Sequence, residues 1–417
     1  MSVLKIYYFL PLLLISGPFL SDALISISSI FFLIYFIYFQ KIKFKNNIFV
    51  FLLIIYLYFI FTSILSVDIL WSLKSILPFF RFFMMGLIIF YLLEKKIIKL
   101  EMIYYIICFT IFFLFIDAIF QFREGENLFG LKYSTPYRVT SLFGDEAVLG
   151  GFVFKMLILC YFINSVITIK YQQNIFFILN ILSFTIILIS GDRSAFFLSI
   201  IYMIFLLPQF RLNKNFVLIP FFAFSIFFIL ISNFDILKNR TIFMTVEGFF
   251  NSLEKFDHDK ITSKMDYTLE KKNDFYYISE AHHRHMLGSF DIIKQYPLFG
   301  SGPNTFRIVC KNDPIGTCTT HPHNIYLQLF SETGIFGFLF VSIIFFRSLF
   351  YILLNMFKQN SSLQVYLINL NILILLFPLA PSGNFFNNWN SILNFLPFGF
   401  YLYYFKDNLV ELRKKTL

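Results

Sequence analysis

Residues 48–67 read IFVFLLIIYLYFIFTSILSV. No charge interrupts the run, and as a helix it reaches about 30 Å, the thickness of a bilayer's hydrocarbon core. Just ahead of it stand Lys41, Lys43 and Lys45. Outward in both directions, apolar runs of the same kind recur at roughly 6–20, 24–40, 75–93, 102–121, 147–168, 174–190, 193–208, 216–232, 325–346, 363–380 and 390–405. Together they predict about twelve transmembrane helices. The first run follows only Lys5 and also has the form of a signal anchor. Composition agrees, because only 14% of residues are charged and 58% are hydrophobic, whereas soluble domains carry roughly 25% charged residues. The expected fold class is therefore an all-α, multi-pass membrane protein.

Lys and Arg set the orientation. With the N-terminus inside, the inner loops and the tail carry Lys5, Lys41, Lys43, Lys45, Lys95, Lys96, Lys99, Lys170, Arg211, Lys214, Lys358, Lys406, Arg413, Lys414 and Lys415, and the short outer loops carry only Lys74, Arg123, Lys132, Arg138 and Arg193. This asymmetry accounts for the net charge of +10 without a nucleic-acid partner. One segment departs from the alternation of span and short loop. Residues 233–324 are long and polar, lie outside in this topology, and hold all six histidines: His258, His282, His283, His285, His321 and His323. The expected organisation is a nine-helix membrane region over 1–232, an outer loop domain with helical content over 233–324, and a three-helix membrane region with an inner tail over 325–417. No internal repeat is visible.

Cys310 and Cys318 fall in the outer segment. An oxidising compartment would join them as a disulfide just before His321; two free surface thiols are the alternative. Ionisable residues near membrane depth are costly and usually face a cavity. Arg193 sits in the very tight turn Ser190-Gly191-Asp192-Arg193-Ser194, and Arg138 precedes Phe143-Gly144-Asp145-Glu146 at the entry to a span. Lys155 lies about two turns deeper in that span, and Arg81 about two turns into the fourth. For Arg81 and Lys155, snorkelling to the headgroups is the plain alternative. Asp145 and Glu146 suit either a proton-accepting role or ion pairs with Lys155 or Arg138.

In the outer segment, residues 278–295 have helical periodicity, with Met286, Phe290 and Ile293 on one face and Arg284 beside His282 and His283 near the start. A turn-forming run follows, Tyr296-Pro297-Leu298-Phe299-Gly300-Ser301-Gly302-Pro303. Then His321-Pro322-His323-Asn324 leads directly into a span that carries Gln328 and Glu332 on one face, followed by Gly334 and Gly337.

These pieces resemble the O-antigen ligase family of bacterial envelope glycosyltransferases. That family's signature is His, then Asn, Ser or Gln, then nine residues, then Gly; here it is His323-Asn324, residues 325–333, and Gly334. Arg284, the Pro297–Gly302 run, the Gly191–Ser194 turn and Phe143-Gly144-Asp145-Glu146 with Leu149-Gly150 are similar to the family as well, over roughly residues 138–340. The resemblance implies a GT-C-like enzyme of the bacterial inner membrane with its active site facing the periplasm. It needs no cofactor or metal. The donor would be a glycan on undecaprenyl pyrophosphate, and the acceptor lipid A-core or a second lipid-linked glycan. His323, with Asn324, would correspond to the catalytic position, and Arg193 and Arg284 to donor pyrophosphate ligands, joined here by Arg138 and Lys155. Arg81, Asp145, Glu146, His321, Gln328 and Glu332 would support them.

The chemistry of these residue types agrees. Guanidinium groups bind phosphate oxygens through paired, charge-assisted hydrogen bonds, and a His titrating near ~6.5 can take a proton from a sugar hydroxyl. Two other classes compete. A zinc hydrolase would use His321 and His323 with His282, His283 or His285. A lipid-linked oligosaccharide flippase would need the spans and cations but not the His-Asn corner.

Overall fold

The structure, a computed structural model, describes residues 2–39, 46–132, 138–212, 225, 280–312, 319–358 and 362–415. Among these residues the regular structure is helical, with a lone bridge between Glu126 and Lys132. The chain opens with a 3-10 turn and a short α1 (Leu10–Leu13), then α2 (Pro18–Phe39), α3 (Asn46–Ile64), α4 (Ile69–Ile76), α5 (Phe80–Glu94), α6 (Leu100–Glu124), α7 (Leu149–Val166), α8 (Gln172–Ile189) and α9 (Arg193–Leu206). After the undescribed stretch come α10 (Glu280–Gln295), α11 (Phe306–Val309), α12 (Ile325–Asn355), α13 (Leu363–Leu375) and α14 (Asn388–Lys415).

Among the described residues, six helices are long and apolar enough to cross a membrane: Pro18–Tyr35 within α2, Ile69–Glu94 (α4 and α5 in series), α6, α7, α8 and α12. Leu4–Leu13, Phe49–Ile64, Arg193–Gln209 and Leu363–Leu375 are apolar but shorter. These helices fall on the predicted runs, whereas the run at 216–232 and residues 233–279 lie outside the described residues, Ser225 apart. Two edges moved. The first turn falls at 14–17 rather than near 21–23, where Gly17 takes φ 100° and Pro18 opens α2; Gly adopts that backbone freely and Pro suits a first helical turn. The span expected over 363–380 stops at Leu375, just before Pro378 and Pro381, because proline cannot continue the helical hydrogen-bond ladder.

α5 and α7 are buried along nearly their whole length, as expected of helices that are apolar all round. α14 packs along α5, α8 against α6 and α7, and α12 against α13. Gly399 permits the close approach of α14, since a Cβ there would lie 2.5 Å from the Gly86 carbonyl oxygen. Apolar side chains such as Ile30 and Phe31 on α2, or Ile343, Phe346 and Phe350 on α12, face outward.

Hydrogen bonds between elements occur mid-bundle, where Asn371 joins Tyr202, Tyr401 and the Ile158 carbonyl, and at both ends. At one end the Tyr8 hydroxyl accepts from the Lys99 amide, Gln209 donates to the Asn355 and Met356 carbonyls, and Gln364 donates to the Ser165 carbonyl. At the other, Arg81 meets Asp22, Trp389 donates to the Leu14 carbonyl, and the Val67 amide donates to the Ser301 carbonyl.

The second end is shaped by a break in α12. Gly334 has φ 73° and ψ −169°, which interrupts the helix. The carbonyls freed around it are taken up by the 297–302 run: Ser301 N donates to Ser331 O at 2.8 Å and Gly302 N to Glu332 O at 2.9 Å, while Ile335 N donates to Pro297 O at 3.0 Å. The Tyr58 hydroxyl takes the Thr333 carbonyl. A Cβ on Gly334 would lie 2.1 Å from the Leu298 carbonyl oxygen, so this contact requires glycine both for φ and for space. Residues 335–355 alone reach about 31 Å, enough to cross the hydrocarbon.

Candidate active site

His323 lies just ahead of α12, next to its capping residue Asn324. It takes φ 54°, a left-handed conformation that costs a non-glycine residue on the order of 1–3 kcal/mol and persists only when neighbours enforce it. The neighbours are identifiable. Its carbonyl accepts from Ser382 N at 2.8 Å. The next residue, Asn324, is extended and caps α12, its Oδ1 accepting from Tyr326 N and Leu327 N and its Nδ2 donating to Pro378 O at 2.8 Å. Asn324 thus acts through the backbone, fixing where the His323 ring points.

The His323 ring is surrounded by other imidazoles: His321 at 4.1 Å between ring centroids, His285 at 5.3 Å and His282 at 6.0 Å. Burial first, then the charge each neighbour would carry, pushes the His323 pKa down to about 4. His321 is also lowered to about 4, mainly by burial, and His282 is lowered by burial, by His285 and by the Arg193 charge. At neutral pH these three rings are neutral.

The roles of His321 and His323 differ. The Ser382 carbonyl, 3.2 Å from His321 Nε2, can only accept, so Nε2 carries the proton and Nδ1 is left to accept from the Thr320 hydroxyl at 2.9 Å. Both nitrogens of His321 are committed. Among the described residues, neither ring nitrogen of His323 has a hydrogen bond.

Arg193 opens α9 after Asp192, whose carboxylate caps the helix by accepting from Ser194 N and Ala195 N. Its effect on His282 places its charge beside the imidazole cluster. Arg284 is half-buried on α10, between His282 and His285 in sequence. Lys155 donates to Asn394 at 2.9 Å, and Asp192 packs against Gly150 and Gly151 one turn before it. Gln328 and Glu332 sit below the cluster, fully buried. Gln328 donates to Glu332 and Asn384, and Glu332 accepts from Phe306 N at 2.9 Å, tying α12 to α11 and to the 376–387 loop. Arg138, Asp145 and Glu146 lie on a separate loop. Gln121 Oε1 accepts from Thr140 N and Ser141 N, and Asp117 accepts from Ser141 at 2.5 Å, so α6 pins that loop.

Arg81 stands apart from the cluster. Its Nε donates to Asp22 at 2.8 Å, Nη1 donates to the Pro78 carbonyl, and its guanidinium lies over the Phe82 ring, so it is paired rather than snorkelling. The amphipathic helix is present, but its buried face is Ser289 and Ile292, and Phe290 is exposed. Cys310 is disulfide-bonded; its expected partner Cys318 lies outside the described residues, as does His258. Among the described residues, no three His, Cys, Asp or Glu are grouped to hold a metal ion.

Three contributors were not singled out in the sequence: Ser382, Asn384 and Arg307, whose charge acts on His321. The dense Pro378, Pro381, Ser382, Gly383, Asn384 cluster is a loop signal of the usual kind; Pro378 falls inside the expected span over 363–380, and the rest in a short loop with no charge or histidine to draw attention to it.

Every element around His323 except the 376–387 loop falls in one continuous region of similarity. Residues 178–342 match the O-antigen ligase family. The matched stretch takes in the Gly191–Ser194 turn, Arg284, the Pro297–Gly302 run and the His323-Asn324…Gly334 pattern, and so bears out the resemblance read from those residues. No curated protein matches the chain by sequence. The apolar helices make this a multi-pass membrane protein, and the stretch that carries His323 is the part similar to O-antigen ligases.

Proposed function

We propose that this protein is an inverting O-antigen ligase of the bacterial inner membrane, transferring a glycan from undecaprenyl pyrophosphate to a sugar hydroxyl of lipid A-core on the periplasmic side. The observation that carries the reading is the contrast between two adjacent imidazoles: His321 is locked by hydrogen bonds at both nitrogens, and His323 is held in a strained conformation with its nitrogens open.

In this reading His323 takes the proton of the acceptor hydroxyl, whose oxygen attacks the anomeric carbon from the face opposite the pyrophosphate. The bond from that carbon to the pyrophosphate oxygen breaks, and the electron pair leaves with undecaprenyl pyrophosphate. Arg193 and Arg284 hold the departing charge, as oriented cations do in electrostatic transition-state stabilisation. Lys155, hydrogen-bonded to Asn394 and close to Asp192, supports the turn that presents Arg193. The neutral state of His323 is what a base requires before the hydroxyl arrives.

The test is transfer in vitro, with purified protein, an undecaprenyl-pyrophosphate glycan, and EDTA present. Product on lipid A-core supports a ligase. Longer lipid-linked chains, made when a second lipid-linked unit is supplied, would make it a polymerase instead. No product with either acceptor from folded protein would sink both. His323→Ala should abolish transfer while membrane insertion and donor binding persist.

A further inference from the structure

A buried primary amide is costly unless its polar atoms are met, and Gln328 is fully buried one helical turn past the Asn324 cap. Both of its protons and its carbonyl oxygen are in use. The Phe385 amide can only donate, so it meets Oε1, at 2.9 Å. The protons of Nε2 go to Glu332 Oε2 at 3.0 Å and to Asn384 Oδ1 at 2.8 Å. Asn384 Oδ1 accepts from Phe386 N at 2.9 Å as well. One side chain of α12 thus holds residues 384 and 385 directly, and 386 through Asn384. The other side of the loop is tied to the same turn of α12, where Asn324 Nδ2 donates to Pro378 O at 2.8 Å and the Tyr326 hydroxyl to Leu376 O at 2.6 Å. Ser382 lies between these anchors. Its hydroxyl has no partner among the described residues, but its backbone holds both histidines, the amide donating to His323 O and the carbonyl accepting from His321 Nε2. Where Ser382 stands is set by the anchors on either side. The nearer one is Asn384, two residues on, and Gly383 between them has no side chain to stiffen the link.

We infer that Gln328 is a positioning residue for transfer: through Asn384 and Phe385 it sets Ser382, and Ser382 sets the two imidazoles. The inference rests on the transferase reading above. The position asks for an amide. An apolar side chain of the same length would leave the Phe385 N–H without its acceptor and Asn384 Oδ1 with one donor fewer. A carboxylate would set acceptors against Glu332 and Asn384 Oδ1, which are acceptors themselves. The effect is also directional. Arg193 on α9 and Arg284 on α10 belong to other elements, so a loosened loop disturbs the base and leaves the donor's cations where they are.

The test uses the purified full chain with Gln328→Met, which keeps the length and removes the three bonds, with Asn384→Ala, and with the two combined. Each single variant should lower kcat at least about tenfold with donor KM unchanged. The double should cost no more than the worse single, because both break one connection. A second readout needs no turnover: diethyl pyrocarbonate acylates unprotonated imidazole nitrogens, and mass spectrometry resolves its labelling of His321 from that of His323. His321 should label slowly in wild type, where both its nitrogens are engaged, and several-fold faster in either variant at neutral pH. Should Gln328→Met not fold, Asn384→Ala carries both readouts. Unchanged kcat in folded variants, or a fall in kcat with His321 labelling unchanged, overturns the inference and spares the transferase reading. So does a loss confined to donor KM, or one that multiplies in the double variant. A wild type that transfers to neither acceptor would sink the transferase reading and the role in transfer with it, even where labelling shows the linkage.

Discussion

If His323 is the base, the acid limb of the reaction should lie far below where an ordinary histidine would put it. Its pKa is pushed from 6.5 to about 4, first by burial and then by His321, His285 and His282. The sign follows from which form is active. Lowering the pKa keeps the ring neutral, so activity should persist as pH falls through 6.5 and be lost only near 4. At pH 5.5 a group titrating near 4 is roughly 97% neutral, against roughly 9% for one titrating at 6.5, a difference of about tenfold in available base. The donor's phosphates stay ionised across this range and do not confuse the profile. The assay is kcat/KM for the donor from pH 4 to 8, which reports the free enzyme. Measured as kcat, the limb should move upward, because the bound pyrophosphate places negative charge beside the ring and favours its protonated form. His321→Gln keeps a donor for the Ser382 carbonyl and removes a titrating neighbour, so it should raise the limb part of the way. A kcat/KM limb near 6.5, or a limb that survives in a partly active His323→Ala variant, would refute the reasoning.

Substitutions at three other positions separate support from chemistry. Gly334→Ala puts a Cβ 2.1 Å from the Leu298 carbonyl oxygen at φ 73°, and should destabilise the protein by about 2 kcal/mol or more, read as a fall in melting temperature in detergent; an unchanged melt would mean the 297–302 run does not dock as described. Asp22→Ala leaves the buried Arg81 guanidinium without its carboxylate, costing about 3–5 kcal/mol. It should lower the melt with donor KM unchanged, whereas a changed KM at constant melt would return Arg81 to the donor site. Asn324→Ala should cost about 1 kcal/mol as a lost helix cap and reduce kcat, and Asn324→Asp should recover the cap; equal kcat in all three would show that the cap does not position His323.

What could be read from the sequence divides along a physical line. Apolar runs announce spans because hydrocarbon demands an uninterrupted helix, and the runs around α6, α7, α8 and α12 lie where the helices lie. The His323-Asn324…Gly334 spacing was equally legible, and the structure gives it a cause: nine residues of helix separate a cap from a break, and the 297–302 run fills the break. The boundaries set by backbone punctuation were not legible. Hydropathy carried the first span past Gly17 and Pro18 and put Asp22 in a loop, which hid the partner of Arg81. It carried the span at 363 past Pro378, which shortened the loop, and nothing local marked Ser382 in that loop as the residue that meets both histidines. In each case the missing contact joins residues far apart in the chain, Asp22 with Arg81 and His323 with Ser382, and no local pattern encodes such a pairing. The division matters for mechanism. The chemistry-bearing residues can be named from sequence because their types are scarce in a membrane. Their division of labour rests on long-range hydrogen bonds: the Ser382 carbonyl, 61 residues from His321, commits the His321 ring, while among the described residues neither ring nitrogen of His323 is bonded.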